Sequence, residues 1–140
     1  MSRSKQRSLK AAKEARGGGS FLPLTMPPMQ SEQLANLTPH EAKLLFDIIS
    51  QWRMGKNGDM CATWTVMKDR GWRSQETLNN AIKGLMEKGL VIRTRQGSLN
   101  KCSLYGLGWL AIDECSGKLD IAPTRGPVTK DWPKFMANKN

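Results

Sequence analysis

Residues 62–107, ATWTVMKDRGWRSQETLNNAIKGLMEKGLVIRTRQGSLNKCSLYGL, decide how this chain is read. Thr63 stands where a residue would cap a short helix that turns Val66 and Met67 inward. Gly71 ends that helix, since glycine enters the left-handed region without a Cβ penalty. Trp72 follows as an apolar plug in the turn. Ser74 caps the next helix, and Glu76 sits in its first turn, where the helix dipole favours a negative charge. Leu78, Ala81, Ile82, Leu85 and Met86 form a buried stripe at helical spacing, and Gly89 closes the helix after Lys88. Two apolar runs, 90–95 and 102–107, then flank the polar loop 96–101, the pattern of a β-hairpin.

The residues before this stretch supply another helix. Thr38 is an N-cap, Pro39 occupies the first helical position and Glu41 closes a capping box. Leu44, Leu45, Ile48, Ile49 and Trp52 follow on one face, with the helix predicted to end near Met54-Gly55. Asn57-Gly58-Asp59 reads as a turn and Met60-Cys61-Ala62 as a short strand. The order is helix, short strand, helix, helix, strand, loop, strand. It is an α+β order and that of a winged helix-turn-helix, with a recognition helix over about 74–88 and a wing over about 93–101.

Outside this core the composition changes. Residues 1–20 carry Arg3, Lys5, Arg7, Lys10, Lys13 and Arg16 against Glu14 alone, and end in Gly17-Gly18-Gly19-Ser20. With little apolar surface to bury, they read as a basic flexible tail, with part of 5–15 turning helical on a partner. Such a tail either lies along phosphates or is simply solvated. Residues 21–28 (FLPLTMPP) hold three prolines and read as an extended segment. The winged helix-turn-helix domain spans 21–108. The extension 109–140 is irregular, yet carries Trp109, Leu110, Ile112, Leu119, Ile121 and Trp132, enough apolar surface to pack on the domain.

The chain has 140 residues, room for one domain. Its 22 Lys and Arg against 12 Asp and Glu give a formal net charge of +10, which favours polyanionic partners. Cys61, Cys102 and Cys115 are odd in number and lack CxxC spacing, which argues against a zinc ribbon or a disulfide framework. They read as small buried hydrophobes in a reducing, cytoplasmic setting. No apolar run approaches a membrane span of about 20 residues. The charged N-terminus lacks the apolar region of a secretory signal.

Helical periodicity sets the face opposite the buried stripe of 74–88. It carries Gln75, Glu76, Asn79, Asn80 and Lys83. Asn and Gln side chains can pair with the adenine edge in the major groove, and Gln75 and Asn79 lie in the half of a recognition helix that goes deepest. Lys83 suits a phosphate, and Thr77 a phosphate or a thymine methyl. Arg73 and Ser74 precede the helix, where free backbone N–H groups attract an anion, and Arg70 adds charge nearby. Strand alternation puts Leu90, Ile92 and Thr94 on one face and Val91, Arg93 and Arg95 on the other. The wing offers Arg93, Arg95, Gln96, Ser98, Asn100 and Lys101 to a backbone or a narrow minor groove, with Gly97 at its tight turn. The alternative for both surfaces is ordinary solvation, since charges also protect hairpin edges.

The blocks GGGSFLPL, LTPHEAKLLFDI, NGDMCATWTVMKDRGWRSQETLNNAIKGLMEKGLVIRTRQG and SLYGLGWLAIDE resemble small winged helix-turn-helix proteins of proteobacterial prophages and mobile elements. The similarity runs from about Gly18 to Trp132. It implies the fold more than a function. The pattern also resembles the winged-helix half of plasmid and phage replication initiators, which are longer and often carry a second winged helix. The length therefore suits a regulator or an accessory replication-initiation protein.

Little in the chain suggests chemistry. His40 is the only histidine and stands in the first turn of a helix. No GxSxG, HExxH or phosphate-loop motif is present, and Asp113-Glu114 is a single acidic pair. The reading is therefore a non-enzymatic, sequence-specific protein with duplex DNA as partner and no cofactor. It would regulate transcription or replication of a phage or mobile element. A homodimer reading two half-sites fits the same sequence. So does a protein-interaction adaptor that docks on a host or phage protein through the Trp-rich extension.

Overall fold

The computed structural model describes residues 2–137. Among them lie six helices: α1 (Arg3–Ala15), α2 (Met26–Met29), α3 (Glu32–Ala35), α4 (Pro39–Ile49), α5 (Trp64–Lys68) and α6 (Gln75–Glu87). One two-stranded antiparallel sheet, β1 (Val91–Arg95) and β2 (Leu104–Leu107), and a 3-10 turn (Cys115–Gly117) complete an α+β architecture. No helix among the described residues is long and apolar enough to cross a membrane.

The core forms where α6 packs between α4 and the sheet. Leu44 and Ile48 of α4, Met67 of α5, Leu78 and Leu85 of α6, Leu90, and Leu107 of β2 are all essentially inaccessible. Full burial of each such side chain contributes roughly 1.5–3 kcal/mol. The α4–α6 contact is close enough that a Cβ on Gly84 would run into the Glu41 carboxylate. That carboxylate is buried, pairs with Lys88 at 2.7 Å, and accepts the Thr38 N–H at 2.9 Å in the expected capping box.

Four predicted boundaries shift, each for a local reason. The tail expected over 1–20 does not lack structure between Ser2 and Gly18: Ala, Lys, Glu, Arg and Leu favour helix, Ser2 caps α1, and Gly17 and Gly18 close it. The Gly18 and Gly17 N–H groups donate to the carbonyls of Lys13 and Glu14, a Schellman motif with Gly17 at φ 77°. Residues 21–28 are not wholly extended, because Pro27 and Pro28 fall in the first turn of α2, where a missing N–H is harmless. The helix begun at Pro39 stops at Ile49 and not near Met54-Gly55. There the Gln51 amide leaves the helix axis and makes two 2.8 Å hydrogen bonds with the backbone of Cys61. The strand predicted at Met60-Cys61-Ala62 shrinks to one bridge, in which Met60 and Tyr105 exchange hydrogen bonds of 3.1 and 2.8 Å.

Strand alternation also breaks. The β1–β2 register slips between Arg93 and Arg95, leaving Thr94 as the extra residue of a bulge. Val91 is buried rather than outward and Ile92 only half-buried, whereas Thr94 is buried on the expected face, donating its hydroxyl to the Gly58 carbonyl at 2.6 Å. Of the three free thiols only Cys115 is buried; Cys61 and Cys102 are half-exposed at the margins of the sheet.

Asn57 ties the tail of the chain to this frame. Its side chain is buried, accepts the Leu107 N–H at 2.8 Å, and donates to the carbonyls of Leu107 and Ala111 at 3.1 and 2.9 Å. Its own N–H donates to Asp113 at 2.7 Å. Residues 108–137 fold back across the body, and 138–140 of the expected extension lie outside the described residues. Trp109 is buried and its indole N–H donates to the Pro23 carbonyl, and Ser31 pairs with Lys134 across a bridge. Ile112 is buried, Leu110, Leu119 and Trp132 are half-buried, and Ile121 stays exposed.

Candidate nucleic-acid interface

The N-terminus of α6 is held by one buried acid. Asp47, on α4, accepts the indole N–H of Trp72 at 2.7 Å and the Arg70 Nε–H at 2.7 Å. Lys43 donates to the same carboxylate at 2.9 Å and to the Arg70 carbonyl at 2.8 Å. Burial alone would push the Asp47 carboxyl up, but the hydrogen bonds from Lys43, Arg70 and Trp72 outweigh it and hold it below the ordinary carboxylate value. Trp72 is thereby fixed in the core, and Gly71, at φ 96°, makes the turn into α6. Arg70 is half-exposed and committed to Asp47, so the charge read near the helix start is spent locally.

From this support Ser74 caps α6, accepting the Thr77 N–H at 3.2 Å. Gln75, Glu76, Asn79, Asn80 and Lys83 are exposed along the helix. The two edges of α6 face different clefts. Gln75 and Asn79 line a hollow of about 210 Å³ with Trp64 of α5 and with Cys102, Ser103 and Tyr105 of the hairpin. Arg73, Ser74 and Thr77 line another of about 220 Å³ with His40, Lys43 and Trp72. The exposed face itself carries no positive excess, since Glu76 and Glu87 outnumber Lys83; positive charge enters from its flanks.

On the hairpin the predicted cations part ways. Arg93 is exposed, its guanidinium 5.8 Å from the centre of the Tyr105 ring and bonded to Gln96 Oε1 at 3.2 Å. Arg95 does not point outward beside it. The bulge turns it along the hairpin, where its Nε and Nη2 donate to the Cys102 carbonyl at 3.2 and 2.9 Å. Gln96, Ser98, Asn100 and Lys101 are exposed. Ser98 and Lys101 exchange backbone hydrogen bonds of 2.9 and 3.2 Å, which makes Leu99 and Asn100 the tip. Gly97 is therefore not at the tight turn; it lies one residue earlier, where a Cβ would meet the backbone N of Ser103 at 2.8 Å.

Three participants escaped the sequence reading. Leu99 is 97% exposed at the hairpin tip; an apolar residue inside a polar loop was the visible signal. Asp120 accepts the Gln96 N–H at 2.8 Å and steadies the base of the loop from the C-terminal segment, a contact 24 residues away with no local signature. Asp47 has no local signature either, since its partners Trp72 and Arg70 lie 25 and 23 residues away. His40 is exposed, 6.0 Å from the Trp72 ring, and no group of three potential metal ligands occurs among the described residues. No family model matches the chain, and neither a curated protein nor a solved structure matches it.

Proposed function

We propose that the protein binds duplex DNA sequence-specifically, as a winged helix-turn-helix in which α5, the Gly71 turn and α6 form the helix-turn-helix and the β1–β2 hairpin the wing. The observation that carries this reading is the shared hollow between α6 and the hairpin. Gln75 and Asn79 meet Ser103 and Tyr105 there, and Arg93 lies over Tyr105. Polar amides on a rigid helix beside an exposed guanidinium suit base edges and the adjoining phosphates, respectively. The surplus of ten positive charges supplies the non-specific attraction. Arg73, Ser74 and Thr77 suit a phosphate at the other edge of α6, and Lys101 one beside the hairpin tip. A role in regulating transcription or replication of a phage or mobile element rests on the sequence resemblance, and a cytoplasmic setting on the three free thiols.

Selection from a random duplex pool at moderate salt, followed by sequencing, tests the reading. An enriched motif supports a sequence-specific regulator, and its symmetry reports a dimer. Binding without enrichment points to an architectural or accessory role; no binding favours docking on a protein. Within an enriched site, Asn79→Ala should cost about 1–3 kcal/mol on the preferred sequence and little on random DNA. Arg93→Ala should weaken all sequences alike and reduce the salt slope by about one contact.

A further inference from the structure

α1 is a helix that the rest of the chain does little to hold. None of its thirteen residues is buried. Its hydrogen bonds are local: the Ser2 cap at one end and the Gly17 and Gly18 closure at the other. The nearest side-chain tie to the body is Arg16, which follows the helix and stacks on Phe21 at 4.7 Å. Isolated helices of this length are marginal in water.

Its charges oppose it as well. No acid stands in its first turn, where the dipole would favour one. Arg3 and Arg7 are four apart, while Arg7, Lys10 and Lys13 are spaced by three, so like charges stack as neighbours. At 3.6 residues per turn these four fall within roughly a third of the helix circumference, with Glu14 the single acid among them. Lys5 and Arg16 lie on the other side. A row of phosphates reverses each of these penalties, since it offsets the repulsion along the ridge and suits the positive end of the dipole.

We infer that α1 is a second DNA-contacting element, a helical arm whose Arg3–Arg7–Lys10–Lys13 ridge lies along the phosphates flanking the site that α6 occupies. The inference rests on the DNA-binding reading. The arm is about 20 Å long, and the linker 17–20 spans at most about 14 Å, so it reaches adjoining duplex within about one helical turn. Binding would stabilise a helix that is already formed but marginal, which makes its helicity, and not only its charge, part of the affinity.

The full chain is titrated with a labelled duplex over a range of salt. Arg3→Gln, Arg7→Gln, Lys10→Gln and Lys13→Gln together should reduce the salt slope by about 3–4. Lys5→Gln with Arg16→Gln should change it far less. Leu9→Pro keeps every charge but breaks the helix, and should lose most of what the ridge variant loses. Equal urea midpoints for all variants check that the body is intact. An unchanged slope in the ridge variant overturns the inference while leaving DNA binding by α6 in place. Equal loss per charge on both sides, with Leu9→Pro binding like the parent, overturns it in favour of an unstructured polycation. Binding of the full chain to phosphatidylserine vesicles but to no duplex overturns both this inference and the DNA-binding reading.

Discussion

α1 and α6 are both thirteen residues long, both capped by serine and both rich in good helix formers, yet they are held by different forces. α6 buries Leu78, Ala81, Ile82, Gly84 and Leu85; α1 buries nothing. In α6 tertiary packing supplies the stability and local signals only set the ends. In α1 the local signals are all there is. Two similar stretches of sequence therefore become a buried structural axis in one case and a helix with no buried residue in the other. A side chain matters to global stability only where it meets another element.

The largest effect that probes this contrast is a core truncation. Leu85→Ala should lower the unfolding free energy by about 2–5 kcal/mol, read from urea denaturation. Leu9→Ala in α1 should leave the midpoint unchanged, and a shift there would show that α1 packs on the body.

Removing the acid that positions α6 comes next. Asp47→Ala should cost about 3 kcal/mol, because it strands the Trp72 N–H and removes the partner of Arg70 and Lys43. Its pH dependence has a definite sign. The folded-state pKa of Asp47 is depressed, so its stabilisation is present above the unfolded pKa of about 4 and is lost as pH falls through the folded value. Glu41 adds in the same direction: burial pushes it up, but the Lys88 and Thr38 hydrogen bonds prevail and lower it. The gap between parent and Asp47→Ala should thus be constant above about pH 5 and close below pH 4.

A smaller and sign-reversing test is Gly84→Ala. In an exposed helix this change stabilises by about 1 kcal/mol. Here the new methyl meets Glu41, so a loss of about 1–3 kcal/mol is expected by calorimetry. A gain would mean that α4 and α6 part easily. The smallest effect is Gly18→Ala. It forces a Cβ into φ 80°, should fray the end of α1 in far-UV circular dichroism, and should leave the urea midpoint where it was.

Much of the frame was legible because its signals are local. The caps at Thr38, Thr63 and Ser74, the Gly71 turn and the stripe Leu78, Ala81, Ile82 and Leu85 all stand where periodicity and capping chemistry put them. The hairpin was legible as an element but not in its detail. Period-two alternation assumes an unbroken ladder, and the bulge at Thr94 sends Arg93 and Arg95 in different directions. Of the interface residues read from sequence, the exposure of Gln75, Asn79 and Lys83 follows from helical phase alone, whereas the loss of Arg95 to the Cys102 carbonyl does not.

By itself, then, the sequence determined where α4, α5 and α6 begin, which of their faces turn inward, and that the chain carries an excess of positive charge. These depend on neighbours within about four residues or on simple counting. Tertiary structure alone decided that Asp47 locks the entry to α6, that Asn57 and Asp120 bind distant segments, that α4 ends at Ile49, and that Leu99 forms the hairpin tip. Each of those outcomes rests on a hydrogen bond or a bulge between residues far apart in the chain or across a sheet. A polar side chain has many possible partners in an unfolded chain, and only the packed core leaves it one.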